Sequence, residues 1–136
     1  MFHWRRGDQL TTRCFYYGEK SDRVNCGSPD NFVKFVKATF ASLGVDAASI
    51  VTYVATNERN ASSIAVLRRE GYKLFGDISA GMGQQFAGGA NLTSLDAFMT
   101  ELTLICDADY FVVGKTSEIH KMSYRCRSSS KPTVMF

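Results

Sequence analysis

Apolar residues recur along this chain in two rhythms, and the alternation between them predicts the fold. Residues 2–5 read as a short strand, and the polar stretch from Asp8 to Gly27 follows neither period. Ser28-Pro29-Asp30 then reads as a helix start, with a capping hydroxyl, proline at the first helical position and an acid in the first turn. Phe32, Val33, Val36, Phe40 and Leu43 follow at three- and four-residue spacing, and Gly44 supplies the stop. Residues 50–55 are a β-branched apolar run of the kind found in buried parallel strands. A polar turn, Thr56-Asn57-Glu58-Arg59-Asn60, leads into a helix through Leu67 and Arg69 that Gly71 closes. Residues 72–75 read as another strand and 76–89 as a glycine-rich loop. Ser94 starts a helix carrying Leu95, Phe98, Met99, Leu102 and Ile105. A strand at 110–113, a turn at 114–117 and a last helix at 118–127 complete the pattern, and 128–132 reads as loop.

Four alternations of strand and helix predict an α/β fold. They imply βαβ units and a Rossmann-like parallel sheet with helices on both faces. Ligands of such sheets sit beyond the carboxyl ends of the strands. Three polar turns are expected there: Arg5 to Asp8, Thr56 to Glu58, and Gly114 to Glu118.

Length and composition narrow the classes. The 136 residues suit one domain, expected over 1–127 with a tail over 128–136. An apolar share of 45% and a charged share of 21% are ordinary for a globular chain. The formal charge of +3 is spread out, with no basic run and no aromatic stripe, which argues against nucleic acid as a partner. No stretch has the length of a membrane helix, and no signal-peptide pattern opens the chain.

Four cysteines, Cys14, Cys26, Cys106 and Cys126, show no C-x-x-C spacing, so no zinc site is expected. Cys14 and Cys26 flank a short polar excursion, which fits a disulfide-closed loop in an oxidising compartment. Two glycosylation sequons, Asn60-Ala61-Ser62 and Asn91-Leu92-Thr93, point the same way.

Two nucleotide signatures fail on inspection. Gly114-Lys115-Thr116 resembles the end of a P-loop, but Asp109 stands where the first glycine belongs. Gly81-Met82-Gly83 begins like a dinucleotide fingerprint, but Phe86 replaces its third glycine. Three other segments do carry phosphate chemistry. His3-Trp4-Arg5-Arg6-Gly7-Asp8 sets two guanidinium forks after a strand. Val54-Ala55-Thr56-Asn57-Glu58 ends another strand in polar groups. Glu101 precedes Ala108-Asp109, a strand, and Thr116-Ser117 at a helix start, where amide dipoles and hydroxyls favour an anion. A serine at that position also serves to cap its own helix.

In their order and spacing these segments resemble the three peptide regions of GDP-fucose-dependent fucosyltransferases of the protein O-fucosyltransferase and α1,6-fucosyltransferase kind. The resemblance spans nearly the whole chain and corresponds to the carboxyl-terminal, donor-binding half of such an enzyme, one half of a GT-B glycosyltransferase. It implies binding of GDP-fucose for transfer to a hydroxyl of a protein or glycan. Arg5 would be the catalytic residue, on the β-phosphate. His3 would sit beside the nucleotide, Arg6 behind Arg5, and Asp8 would orient the arginine or a sugar hydroxyl. Asn57 and Glu58, where the family has two aspartates, would reach ribose or guanine. Glu101 would read a guanine or ribose edge, and Thr116 and Ser117 would bind phosphate. Lys115 stands where an aromatic or small residue is usual.

The resemblance implies no metal and no cofactor beyond the donor. It places the protein in the lumen of the endoplasmic reticulum or Golgi, if an amino-terminal part carries the signal. The acceptor wall and any activating base would lie in that part, so the chain alone is expected to be inactive. Two other readings stay open: an inactive GDP-sugar-binding remnant, and a small α/β domain without ligand.

Overall fold

A computed structural model describes residues 1–6, 10, 14–15, 24–78, 94–114 and 117–136. Among them are β1 (Phe2–Trp4), α1 (Pro29–Leu43), a 3-10 turn (Ala47–Ser49), β2 (Val54–Thr56) and α2 (Ala61–Arg69). These are followed by α3 (Ser94–Asp107), β3 (Phe111–Val113), α4 (Glu118–Cys126) and β4 (Thr133–Met135). The strands form one four-stranded, all-parallel sheet in the order β2-β1-β3-β4, an α/β, Rossmann-like arrangement. Phe2 lies opposite Val112 and His3 opposite Val113, while Phe111, Val112 and Val113 face Thr133, Val134 and Met135. The chain divides into two compact units, Met1–His3 with Leu74–Phe136, and Trp4–Lys73.

In the unit Trp4–Lys73, α1 begins and ends on the signals in its sequence. Ser28 is extended and its Oγ accepts from Asn31 N at 3.2 Å. Gly44 closes the helix at φ +65°, a left-handed conformation that costs a residue without Cβ little. Phe32, Val33, Val36 and Phe40 are buried along one face. Phe32 stacks on the fully buried Trp4 with ring centroids 4.5 Å apart, and Trp4 Nε1 donates to Val24 O at 3.0 Å.

Two expected strands are shorter than their apolar runs. The expected strand at 50–55 is regular only over Val54–Thr56, and Val51 is 79% exposed. Asp46 caps the preceding 3-10 turn through Ala48 N, so pairing starts only at Thr52. The expected strand at 72–75 is one parallel bridge, Tyr53 to Lys73, because 75–78 turn into helix. Cys14 is joined to Cys26, the pairing that the flanking cysteines predict.

In the other unit, Ile105, Phe111 and Val113 form a buried cluster with Met1 and Ile119 against it. Residues 133–135, expected within the tail, form β4 instead, with Phe111 N donating to Pro132 O and Phe136 N to Val113 O. A second disulfide joins Cys106, at the end of α3, to Cys126, at the end of α4.

In this unit Arg127 links the end of α3 to the residue ahead of β4. Its Nη1 donates to Ile105 O and, at 2.8 Å, to Ala108 O, and its Nη2 donates to Pro132 O at 3.0 Å. The guanidinium lies over the Phe111 ring, 5.7 Å from its centroid. Carbonyls at the end of α3 and ahead of β4 thereby share one donor fork. Arg127→Ala leaves them without it and is expected to lower the unfolding free energy by about 3 kcal/mol. Arg127→Lys, a point charge without the fork, should recover less than half of that loss. Urea denaturation followed by circular dichroism measures both. An alanine variant within about 0.5 kcal/mol of the parent would remove this role.

Candidate functional site

The first motif leaves β1, and each of its described polar side chains has a defined place. Arg5 is exposed immediately after the strand. Arg6 turns inward: its side chain is only 14% exposed, Nε donates to Gly27 O at 3.1 Å, and Nη1 donates to Glu58 Oε2. Its guanidinium also lies over the Trp4 ring, 5.5 Å from the centroid. Arg6 is therefore engaged within the protein itself.

Glu58, in the turn after β2, is the other half of that arrangement. The side chain is 5% exposed, and its second oxygen, Oε1, accepts from Arg59 N and Asn60 N, each at 2.8 Å. Thr56 Oγ1 accepts from Glu58 N at 3.1 Å and holds the turn. Both carboxylate oxygens are engaged within the chain, so a ribose or guanine reaching Glu58 would have to share or displace a donor. Asn57 is exposed beside it. Burial pushes the Glu58 pKa up, but the Asn60 amide, the Arg6 guanidinium and the Arg59 amide together pull it below the ordinary carboxylate value.

The third motif meets the first through different residues. Ser117 precedes α4 in extended conformation, yet its hydroxyl makes no capping bond to the helix. Its Oγ instead lies 3.5 Å from His3 Nδ1. His120 Nδ1 is 2.9 Å from Ser117 O, which requires the proton on that nitrogen, and its ring meets Tyr124 edge-on at 5.5 Å. Glu101 is half-buried midway along α3. Asp8, Lys115 and Thr116 lie outside the described residues, as does the sequon Asn91-Leu92-Thr93.

The described residues thus bring together two pairs from the predicted set, Arg6 with Glu58 and His3 with Ser117. Trp4 and His120, which sequence reasoning left out of the site, support those pairs. The signal for Trp4 was its place between His3 and Arg5; that for His120 was its three-residue spacing from Ser117. In the unit Trp4–Lys73 there is also an apolar cleft of about 290 Å³ that includes Phe40, Ile50, Val51 and Tyr72, with no motif residue among its walls. The Lys37–Glu70 ion pair, 2.7 Å, stands at it, and burial with the Glu70 charge raises the Tyr72 pKa to about 12.

Among the described residues no group of three His, Cys, Asp or Glu converges as metal ligands. None of their helices is long and apolar enough to cross a membrane. Compared with protein-family models, characterised proteins and solved structures, the chain matches none.

Glu58→Gln is expected to destabilise by about 2–3 kcal/mol at neutral pH, because a shielded guanidinium loses its counter-charge. The folded-state pKa of Glu58 lies below its unfolded value of 4.5. Its contribution is therefore complete above that value and is lost as pH falls through the folded pKa. The gap between parent and variant should close in acid. Denaturant titrations at several pH values between about 3 and 7 measure it, and a gap that is constant across the range would rule this coupling out.

Proposed function

We propose that the chain is the donor-binding domain of a GDP-fucose-dependent fucosyltransferase, presenting the nucleotide sugar to a protein or glycan hydroxyl. The observation that carries the reading is the distribution of contacts from the first motif. His3 turns to Ser117 of the third motif, and Arg6 turns to Glu58 of the second. Within each compact unit, a side chain of the first motif thus meets one that the resemblance had singled out in another segment. Ser117 supports it further, since a serine serving only as a cap would spend its hydroxyl on its own helix.

In this reading Arg5 neutralises charge that develops on the diphosphate as the bond from the sugar carbon to the phosphate oxygen breaks. That contribution grows toward the transition state and so accelerates the reaction. Arg6, held by Glu58, Gly27 and Trp4, fixes the backbone that aims Arg5. Ser117 and the first turn of α4 offer a hydroxyl and the positive end of the helix dipole to phosphate oxygens. Asn57, exposed in the turn after β2, would meet the ribose. Asp8, Glu101 and Thr116 keep the roles the resemblance implies. Two disulfides support a lumenal compartment, because such bonds persist where the surroundings are oxidising.

GDP should bind, and GDP-fucose with it, in preference to UDP and ATP, in a thermal-shift series. By calorimetry Arg5→Ala is expected to weaken GDP by about 1.5–3 kcal/mol, roughly 10- to 150-fold. Ser117→Ala removes one neutral donor and should cost about 1 kcal/mol. Parent protein that ignores GDP, or an Arg5→Ala variant that binds it equally well, would overturn the assignment.

A further inference from the structure

The structure assigns Asn60 as a site of N-linked glycosylation, the chemical class of donor being a lipid diphosphate-linked oligosaccharide. The inference rests on the lumenal compartment proposed above and is independent of the nucleotide. Asn60, Ala61 and Ser62 form a sequon, and all three are exposed. Asn60 is the N-cap of α2, and its Oδ1 accepts from Ser62 N at 3.0 Å, Ser63 N at 3.3 Å and Ser62 Oγ at 2.6 Å. The carboxamide is planar, so with Oδ1 turned onto the helix start the amide nitrogen occupies the opposite branch.

That division of labour makes modification and folding compatible. A sugar on Nδ2 leaves Oδ1 a carbonyl oxygen, still able to accept from Ser62 and Ser63, so α2 keeps its cap. The Ser62 hydroxyl that the sequon requires already donates to the same carboxamide. In the transfer itself Nδ2 attacks the anomeric carbon. A carbon–nitrogen bond forms, the bond from that carbon to the diphosphate oxygen breaks, and the lipid diphosphate leaves with the electron pair. The amide gives up one proton to the transferase.

The test uses the full chain carried into the lumen of eukaryotic cells behind a cleavable leader, with peptide mapping before and after peptide-N-glycosidase. The expected result is a glycan on the Asn60 peptide whose removal converts Asn60 to aspartate. It should vanish in Ser62→Ala and in Asn60→Asp, both of which retain a cap oxygen, and persist in Asn91→Asp. An unmodified Asn60 peptide in parent material overturns the assignment. Non-reduced mapping of the same material reports separately on the compartment: cysteines 14 and 26 paired beside a bare Asn60 refute only the glycan. Free thiols at both refute the lumenal reading.

Discussion

A backbone carbonyl withdrawn from water must find a donor, and in each compact unit one arginine meets that demand. Arg127 serves Ile105, Ala108 and Pro132 from above the Phe111 ring, and Arg6 serves Gly27 from above the Trp4 ring. The two solutions share one logic. A guanidinium has five donors in a rigid fork and a flat face that tolerates an aromatic beneath it, so it can be half-withdrawn from water while remaining charged. Burial lowers the Arg127 pKa, with the Asp109 charge opposing, yet an arginine stays ionised at any physiological pH. A lysine could offer neither the fork nor the flat face. The strands involved are only three residues long and parallel, so ladder bonds alone hold little. Side-chain bonds to chain ends take over part of the task.

The two arginines of the first motif illustrate how adjacent, chemically identical residues take different work. Alternation along an extended segment sends neighbours to opposite sides, so Arg6 is half-buried against Trp4 and Arg5 remains exposed. Glu58 completes the arrangement by accepting charge-assisted bonds on both oxygens, which is why its pKa falls despite burial. A saturated carboxylate of this kind sets geometry; it does not exchange protons near neutral pH. Arg5 remains exposed, and the Ser117 hydroxyl faces His3 and not the helix it precedes.

One disulfide cross-links each compact unit. Each disulfide closes a loop, with sequence separations of 12 and 20, and by loop-entropy reasoning each stabilises by roughly 3 kcal/mol. For a chain whose strands are this short, that is a substantial share of the stability available to a small domain. The Cys106–Cys126 bond sits between the ends of α3 and α4, beside the residue whose guanidinium also donates to the Ile105 carbonyl of α3. Cross-link and arginine therefore secure the same junction by independent means.

Local signals determined much of this protein before any tertiary contact. The ends of α1 were written in Ser28-Pro29 and Gly44, and strand–helix alternation implied the parallel α/β class. The pairing of Cys14 with Cys26 followed from a short intervening loop. These features depend on residues within one turn or one loop of each other, where capping, backbone conformation and closure entropy are set locally. Tertiary structure decided the rest. It began the regular strand only at Val54, within the apolar run at 50–55, and left Val51 in solvent, because an apolar run does not reveal where a neighbouring strand begins. It made residues 133–135 an edge strand, since pairing with β3 is a long-range choice. It joined Cys106 to Cys126, set Arg6 on Glu58, and sent the Ser117 hydroxyl to His3, 114 positions away. Each of these needs two distant segments to arrive at one place, and residue type alone encodes what a side chain can bond with, not which partner the packed chain will bring to it.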